Sequence, residues 1–209
     1  MSENASKTTL RRWRKPKQAR SLARVNRILE VAEEMFIKQG YGATTTKAIA
    51  AQAKVPIGSL YQFFPDKAAI LQALAEQYYD LLQAKFQAFD TDETAQLPLK
   101  DYVDQIVEVV DQFFSEHPGQ YAIFMEMQVT LPEVEEAADA ELIQSLAKLL
   151  VRRDGSLQAE DYEAIAFVTV KAIGNLHWLS LGQPPQFRRR LLEEIKRITF
   201  HYFQSYFPG

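Results

Sequence analysis

The sequence predicts an all-α fold of about nine helices, with a three-helix N-terminal unit followed by a C-terminal helical bundle. Three observations carry that prediction. Apolar residues recur at three- and four-residue steps through most of the 209 residues, the spacing that gathers side chains on one face of a helix. Proline, glycine and capping residues fall between these segments, where helices start and stop. No stretch alternates apolar and polar residues as a half-buried strand would, and no segment repeats.

Residues 1–20 lack a helical period and hold Arg11, Arg12, Arg14, Lys15, Lys17 and Arg20, so they read as a flexible basic arm. From Leu22 onward, Val25, Ile28, Leu29, Ala32, Met35 and Phe36 share one face of a first helix, which Gly40 and Gly42 stop. Thr44, Thr45 and Thr46 offer hydroxyl caps to a short second helix carrying Ala48, Ile49, Ala51 and Ala53. Pro56 limits that helix to about two turns and opens a third, because the first turn of a helix needs no amide donor. Pro65 ends the third near Phe63 by forcing Phe64 out of helical backbone, and Asp66 caps the fourth. Leu71, Leu74, Tyr78, Leu81 and Phe86 line the fourth helix. Leu99, Val103, Ile106, Val110 and Phe113 line a fifth that ends at "HPG". A sixth covers about 120–129, a seventh about 132–153 and an eighth about 159–181. Beyond "GQPPQ" a ninth carries Leu191, Ile195, Ile198 and Tyr202.

With 47% hydrophobic residues the chain can bury a sizeable core. The absence of cysteine excludes disulfides, cysteine-ligated zinc and thiol catalysis. No unbroken apolar run approaches the ~18 residues of a membrane span, and the N-terminus is polar and then basic, so a soluble cytoplasmic protein with no membrane partner is expected. The net charge of −3 conceals an asymmetry. Residues 1–67 hold 13 Lys/Arg against 5 Asp/Glu, a balance of +8, while residues 68–209 hold 11 against 22, a balance of −11. That division suits a chain whose first third meets a polyanion and whose remainder does not, although a merely solvated basic face would look the same.

Two short helices joined by the tight "AKVP" connection and buttressed by a first form the layout of a helix-turn-helix, whose last helix enters the DNA major groove. Phe36, Ile49, Ala53, Val55, Leu60 and Phe64 supply the inner faces. Ile57, Gly58 and Ser59 on the outer face let the backbone come near a duplex. Lys47, on the second helix, adds a further candidate phosphate contact.

The segment "ILEVAEEMFIKQGYGATTTKAIAAQAKVPIGSLYQFFPDKAAIL", residues 28–71, resembles the DNA-binding region of the tetracycline-repressor (TetR-like) regulators, gap-free and dense in its motifs. That resemblance implies that Thr44 and Thr45 hold phosphate at the start of the second helix. It likewise implies that Pro56, Ile57, Gly58 and Ser59 face base edges, and that Tyr61 and Lys67 grip the DNA backbone. The basic arm would follow the backbone or enter a minor groove. Two positions depart from the family pattern. Lys54 stands where glycine is usual, at a turn expected to need a positive backbone angle that costs a non-glycine residue about 1 kcal/mol. Phe63 replaces a His or Tyr and cannot hydrogen-bond phosphate.

The same resemblance implies three parts: an arm over 1–20, a helix-turn-helix domain over 21–67, and a ligand-binding and dimerisation domain over 68–209. The last two long helices would pair across a two-fold axis. Ile165, Ala166, Val170, Ile173 and Gly174 offer an apolar face for that, and the ninth helix is apolar around most of its girth. Pocket candidates are Tyr78, Phe113, Phe114, Tyr121, Phe124, Met125, Gln128, Phe167, Lys171, Asn175 and Trp178, aromatic and flexible residues with polar neighbours. The expected function is a ligand-responsive regulator, by family default a repressor. It would bind palindromic double-stranded DNA as a homodimer and be released by a small, largely apolar effector. A relative that senses a ligand or serves as a scaffold without operator binding is the alternative. No catalytic residue, metal ligand or cofactor motif is expected, since His117, His177 and His201 are scattered and no phosphate loop or nucleophile elbow is present.

Overall fold

The computed structural model describes residues 13–16, 18–117 and 119–207. Among them the chain forms ten helices and no strand. They are α1 (Ala19–Gln39), α2 (Thr46–Gln52), α3 (Ile57–Phe63), α4 (Lys67–Phe89), α5 (Asp92–Ala95), α6 (Leu99–Glu116), α7 (Gln120–Thr130), α8 (Pro132–Arg153), α9 (Ala159–Leu181) and α10 (Pro185–Gln204). Helix α9 contains a π-helical turn at Thr169–Ile173.

The local signals act as their chemistry dictates. Gly40 takes φ +84 and ends α1. Thr45 caps α2 by accepting from the Ala48 amide at 3.2 Å. Phe64 adopts extended backbone before Pro65, and Asp66 Oδ1 accepts from the Ala69 amide at 2.8 Å. The one helix not anticipated, α5, is a single turn made by a capping box between Thr91 and Thr94, too short to show an apolar period.

Two compact units emerge. The first comprises 1–77 and 122–132, so the unit holding α1–α3 runs past residue 67 and takes in most of α7. Its interior packs Ile28, Leu29, Ala32 and Phe36 of α1 with Ile49, Ala50, Leu60, Phe64, Ile70 and Leu71, all buried. The second comprises 78–121 and 133–209, around a core that includes Tyr102, Val103, Ile106, Leu150, Ile165, Ala166, Ile195 and Phe203.

Three sequence expectations are corrected here. On α4 the inward position after Tyr78 is Leu82, not Leu81, which is 46% exposed; a four-residue step, not three, keeps the face in line. On α9, Ile165, Ala166 and Ile173 turn into the unit's own core, leaving Phe167, Val168, Leu176 and Leu179 as the exposed large apolar residues. Helix α9 is also long and apolar enough, by length and composition alone, to cross a bilayer, although polar residues interrupt its apolar run. Its residues Tyr162, Ile165, Ala166, Ile173 and His177 are buried, and Lys171 pairs with Asp139.

Candidate functional site

The outer surface of α2–α3 is built around a turn with an unusual backbone. Lys54 is the only described non-glycine residue at positive φ, +58, as the sequence expects for this position. The amides of Lys54 and Val55 donate back to the carbonyls of Ala51 (3.2 Å) and Ala50 (3.0 Å), closing α2 in a Schellman motif that requires a left-handed residue there. The turn frees α3 to start at once, with the Pro56 carbonyl accepting from Ser59 at 2.8 Å. Lys54 itself is exposed, so its charge stands in solvent beside the start of α3.

The expected DNA-facing residues fall into two groups. Thr45, Lys47, Pro56, Gly58, Ile57 (38%) and Tyr61 (47%) are exposed, and Ser59 is half-buried. The Tyr61 and Thr46 hydroxyls lie 3.0 Å apart, which fixes the phenol against the first residue of α2. Thr45 accepts from Ala48 through its oxygen, so its proton remains able to donate outward.

Thr44 and Lys67 are placed otherwise. Thr44 is 1% exposed; its hydroxyl donates to the Gly40 carbonyl at 2.9 Å and accepts from Gln39 Nε2 at 3.1 Å, which leaves no route from that side chain to a phosphate. The Lys67 ammonium donates to the carbonyls of Tyr41 and Thr44 (2.9 Å to the latter) and sits 3.9 Å over the Tyr41 ring. It holds the 41–44 loop from within. Burial, aided by Glu126 and Asp66, raises the Tyr41 phenol to about 12, so the ring under that cation stays neutral. The Lys67 arrangement has no signal in the sequence, because it joins the loop to a group that packing places; Thr44 has local partners, and its burial alone is decided by the fold.

Gly58 is the most informative position of the surface. It has ordinary negative φ, and a Cβ built there meets nothing within 4 Å. Nothing inside the fold needs glycine at the second position of α3, where it disfavours helix by about 0.5–1 kcal/mol relative to alanine. An exposed, bare helix face flanked by Ile57 and Tyr61 suits close approach of an external surface. Of the arm, Arg14, Lys15 and Arg20 are exposed, while Arg11, Arg12 and Lys17 lie outside the described residues.

In the second unit a cavity of about 140 Å³ lies among α4, α6, α8, α9 and α10. Its wall is mainly apolar, from Leu82, Phe86, Ile106, Phe114, Leu142, Val170, Ile173, Trp178 and Phe203. Thr169, Val170 and Ile173 come from the π-helical turn, a feature that concentrates at functional sites. Four polar residues interrupt the wall: Asp139, Thr169, His177 and Thr199. Both threonine hydroxyls donate to backbone carbonyls four residues back, at 2.7 Å, so only their lone pairs remain for a guest. Asp139 is paired with Lys171. His177 is 3% exposed; its Nε2 is 3.5 Å from Asp111 Oδ1, while Arg188 pairs with the same carboxylate. Burial opposes charge on Asp111, but His177 and the Arg188 and Lys196 cations outweigh it and hold the carboxyl below its usual value.

Of the pocket candidates, Phe114 and Trp178 line this cavity, with ring centroids 4.5 Å apart. Phe113 and Tyr78 are buried against His117, and Tyr121 packs 6.1 Å from Trp178. Lys171 contributes through Asp139, and Asn175 donates to the Lys171 carbonyl. Phe167 is 53% exposed. Phe124, Met125 and Gln128 belong to the first unit. Asp139 and His177, neither of them among the sequence-predicted pocket residues, are brought to the wall by helix packing alone.

Comparison with known proteins gives family matches over both parts of the chain. Residues 28–74 match the family of bacterial regulatory proteins described as the tetR family, and residues 98–203 match the tetracyclin repressor-like C-terminal domain. The HTH-type transcriptional regulator YhgD of Bacillus subtilis is 28% identical over 161 residues, 72% of this chain and 81% of that protein. YuxN of the same organism is 38% identical over 53 residues, 25% of this chain, and the match spans only 18% of YuxN's own length. In fold, Salmonella enterica GusR superposes with a TM-score of 0.68 at 20% identity, covering 87% of this chain and 95% of that one.

Proposed function

The chain belongs to the tetR family of bacterial transcriptional regulators, and on that premise we propose that it is a repressor. It binds a palindromic operator as a homodimer and is released by a compact, largely apolar molecule. The DNA-binding domain is assigned to 21–67 and the ligand-binding and dimerisation domain to 68–209, in the cytoplasm. The observation that carries the DNA reading is Gly58 on an exposed α3, a glycine that the fold does not require.

A second copy is supported by the exposed apolar residues Leu176 (41%) and Leu179 (66%) of α9 with Phe187 (50%) and Ile198 (47%) of α10. Two-fold pairing would present two α3 helices to a site of matching symmetry. The effector is supported by the cavity, close in volume to one that holds a benzene-sized guest (~150 Å³). Its polar groups are mostly acceptors, which favours an uncharged molecule with one donating hydroxyl or amine. Helix α4 runs unbroken from Lys67, which holds the loop before α2, to Leu82 and Phe86 on the cavity wall. A guest that binds better to one setting of α4 shifts the population by its differential affinity and no more.

Selection of duplexes from a random pool tests the reading, followed by titration at two salt concentrations with and without Tyr61→Ala. A palindrome bound with a steep salt slope, and much weakened by the substitution, is expected. Failure to enrich any sequence would refute operator binding and leave a ligand-sensing protein.

A further inference from the structure

We propose that Trp13 is a docking residue that fixes Arg14 and Lys15 as a second DNA-phosphate-binding element at the C-terminal end of α3. The inference rests on the reading of α2–α3 as a DNA-binding surface and adds to it an element that lies outside the helix-turn-helix.

Residues 13–16 belong to no helix, yet they are held at successive points. The Trp13 indole stacks on Phe64 at 5.6 Å and 21°. Its Nε1 donates to Glu76 Oε2 at 2.8 Å, and the other carboxylate oxygen accepts from Gln72 Nε2 at 2.8 Å, so α4 presents a carboxylate oriented to receive the indole. The next residue, Arg14, donates its amide to the Phe63 carbonyl at 2.9 Å, one of the acceptors that the last turn of α3 leaves open. Ordering backbone outside a helix costs about 1–2 kcal/mol per residue. A stacked aromatic and two hydrogen bonds offset that cost, and they act on a segment whose next two residues, Arg14 and Lys15, are exposed cations.

The bond to Phe63 sets the Arg14 backbone at the C-terminal end of α3. Two cations are thereby fixed near the exposed end of the recognition helix, in a part of the chain with a balance of +8. The complementary partner is the phosphate backbone of the duplex that α3 enters. Trp13 acts through its neighbours and is a positioning residue.

The test uses a fluorescent duplex enriched from a random pool by the full wild-type chain, with affinity measured across salt concentration. Arg14→Gln with Lys15→Gln should flatten the slope of log K against log salt by about 2 for each protomer, at ~0.9 per phosphate contact. Trp13→Ala, which leaves both charges in place, should flatten it by a similar amount while helical content by circular dichroism stays at the wild-type level. A structural role for Trp13 alone would lower thermal stability without changing the slope. In a Trp178→Phe chain, Trp13 is the sole tryptophan and its emission should be that of a partly buried indole. A wild-type slope in the Arg14/Lys15 double variant overturns the proposal, as does a wild-type slope in Trp13→Ala or solvent-like Trp13 emission. Absence of salt-dependent binding by the wild-type chain overturns the DNA reading itself, and is told apart because it appears before any substitution.

Discussion

Gly58→Ala separates what the fold needs from what a DNA partner needs. Gly58 is the second residue of α3, its φ is ordinary, and its added methyl would meet no protein atom within 4 Å. Alanine loses less backbone entropy on folding, so the substitution should stabilise the chain by about 0.5–1 kcal/mol. For a chain of this length that raises Tm by roughly 1–4 °C. The same methyl stands on the exposed face between Ile57 and Tyr61, where α3 would lie in the groove. Displacing it from contact should cost operator affinity about tenfold or more, or about 1.4 kcal/mol. Differential scanning calorimetry reads the first effect and fluorescence anisotropy on the selected duplex reads the second. Gly42→Ala is the control, because its Cβ also meets nothing but it lies in the loop before α2; its DNA affinity should be unchanged. A lower Tm for Gly58→Ala would show that the fold does need glycine there. A higher Tm with wild-type DNA affinity would refute the argument from close approach.

Three further outcomes are expected. Lys54→Gly relieves the left-handed strain and should raise stability by up to about 1 kcal/mol, seen in urea unfolding; if Lys54 neutralises a phosphate, the salt slope falls by about 0.9 for each protomer. Lys67→Met removes the cation from two carbonyls and the Tyr41 ring, so it should cost about 1.5–3 kcal/mol in the absence of DNA; unchanged stability would return Lys67 to a phosphate-gripping role. Asp111 has a folded pKa below its ordinary 3.8, so its stabilising contribution is complete above that value and is lost as pH falls through the lower folded value. Asp111→Asn should therefore flatten the acid limb of the stability profile below about pH 4, and an unaltered acid limb would show that the Arg188 and His177 pairing does not act on folding.

The sequence by itself determined the helices and the character of α2–α3. Pro56 and Pro65, the Thr45 and Asp66 caps and Gly40 act within about four residues of themselves, and the left-handed turn at Lys54 is the one that the resemblance to a glycine-bearing family pattern implies. Short-range signals of this kind survive in a linear reading because their partners are always at hand. Tertiary structure alone decided which side chains would be free to act. Lys67 is drawn to carbonyls 26 and 23 positions away, Lys171 to Asp139 over 32, and Arg188 to Asp111 over 77. Thr44 has both its partners within five residues, but burial, and not sequence, closed it to phosphate. On α4 a single step from Leu81 to Leu82 chose which leucine reached the cavity. Such choices depend on the rotation of whole helices against one another, a quantity that close packing fixes and that no local period encodes.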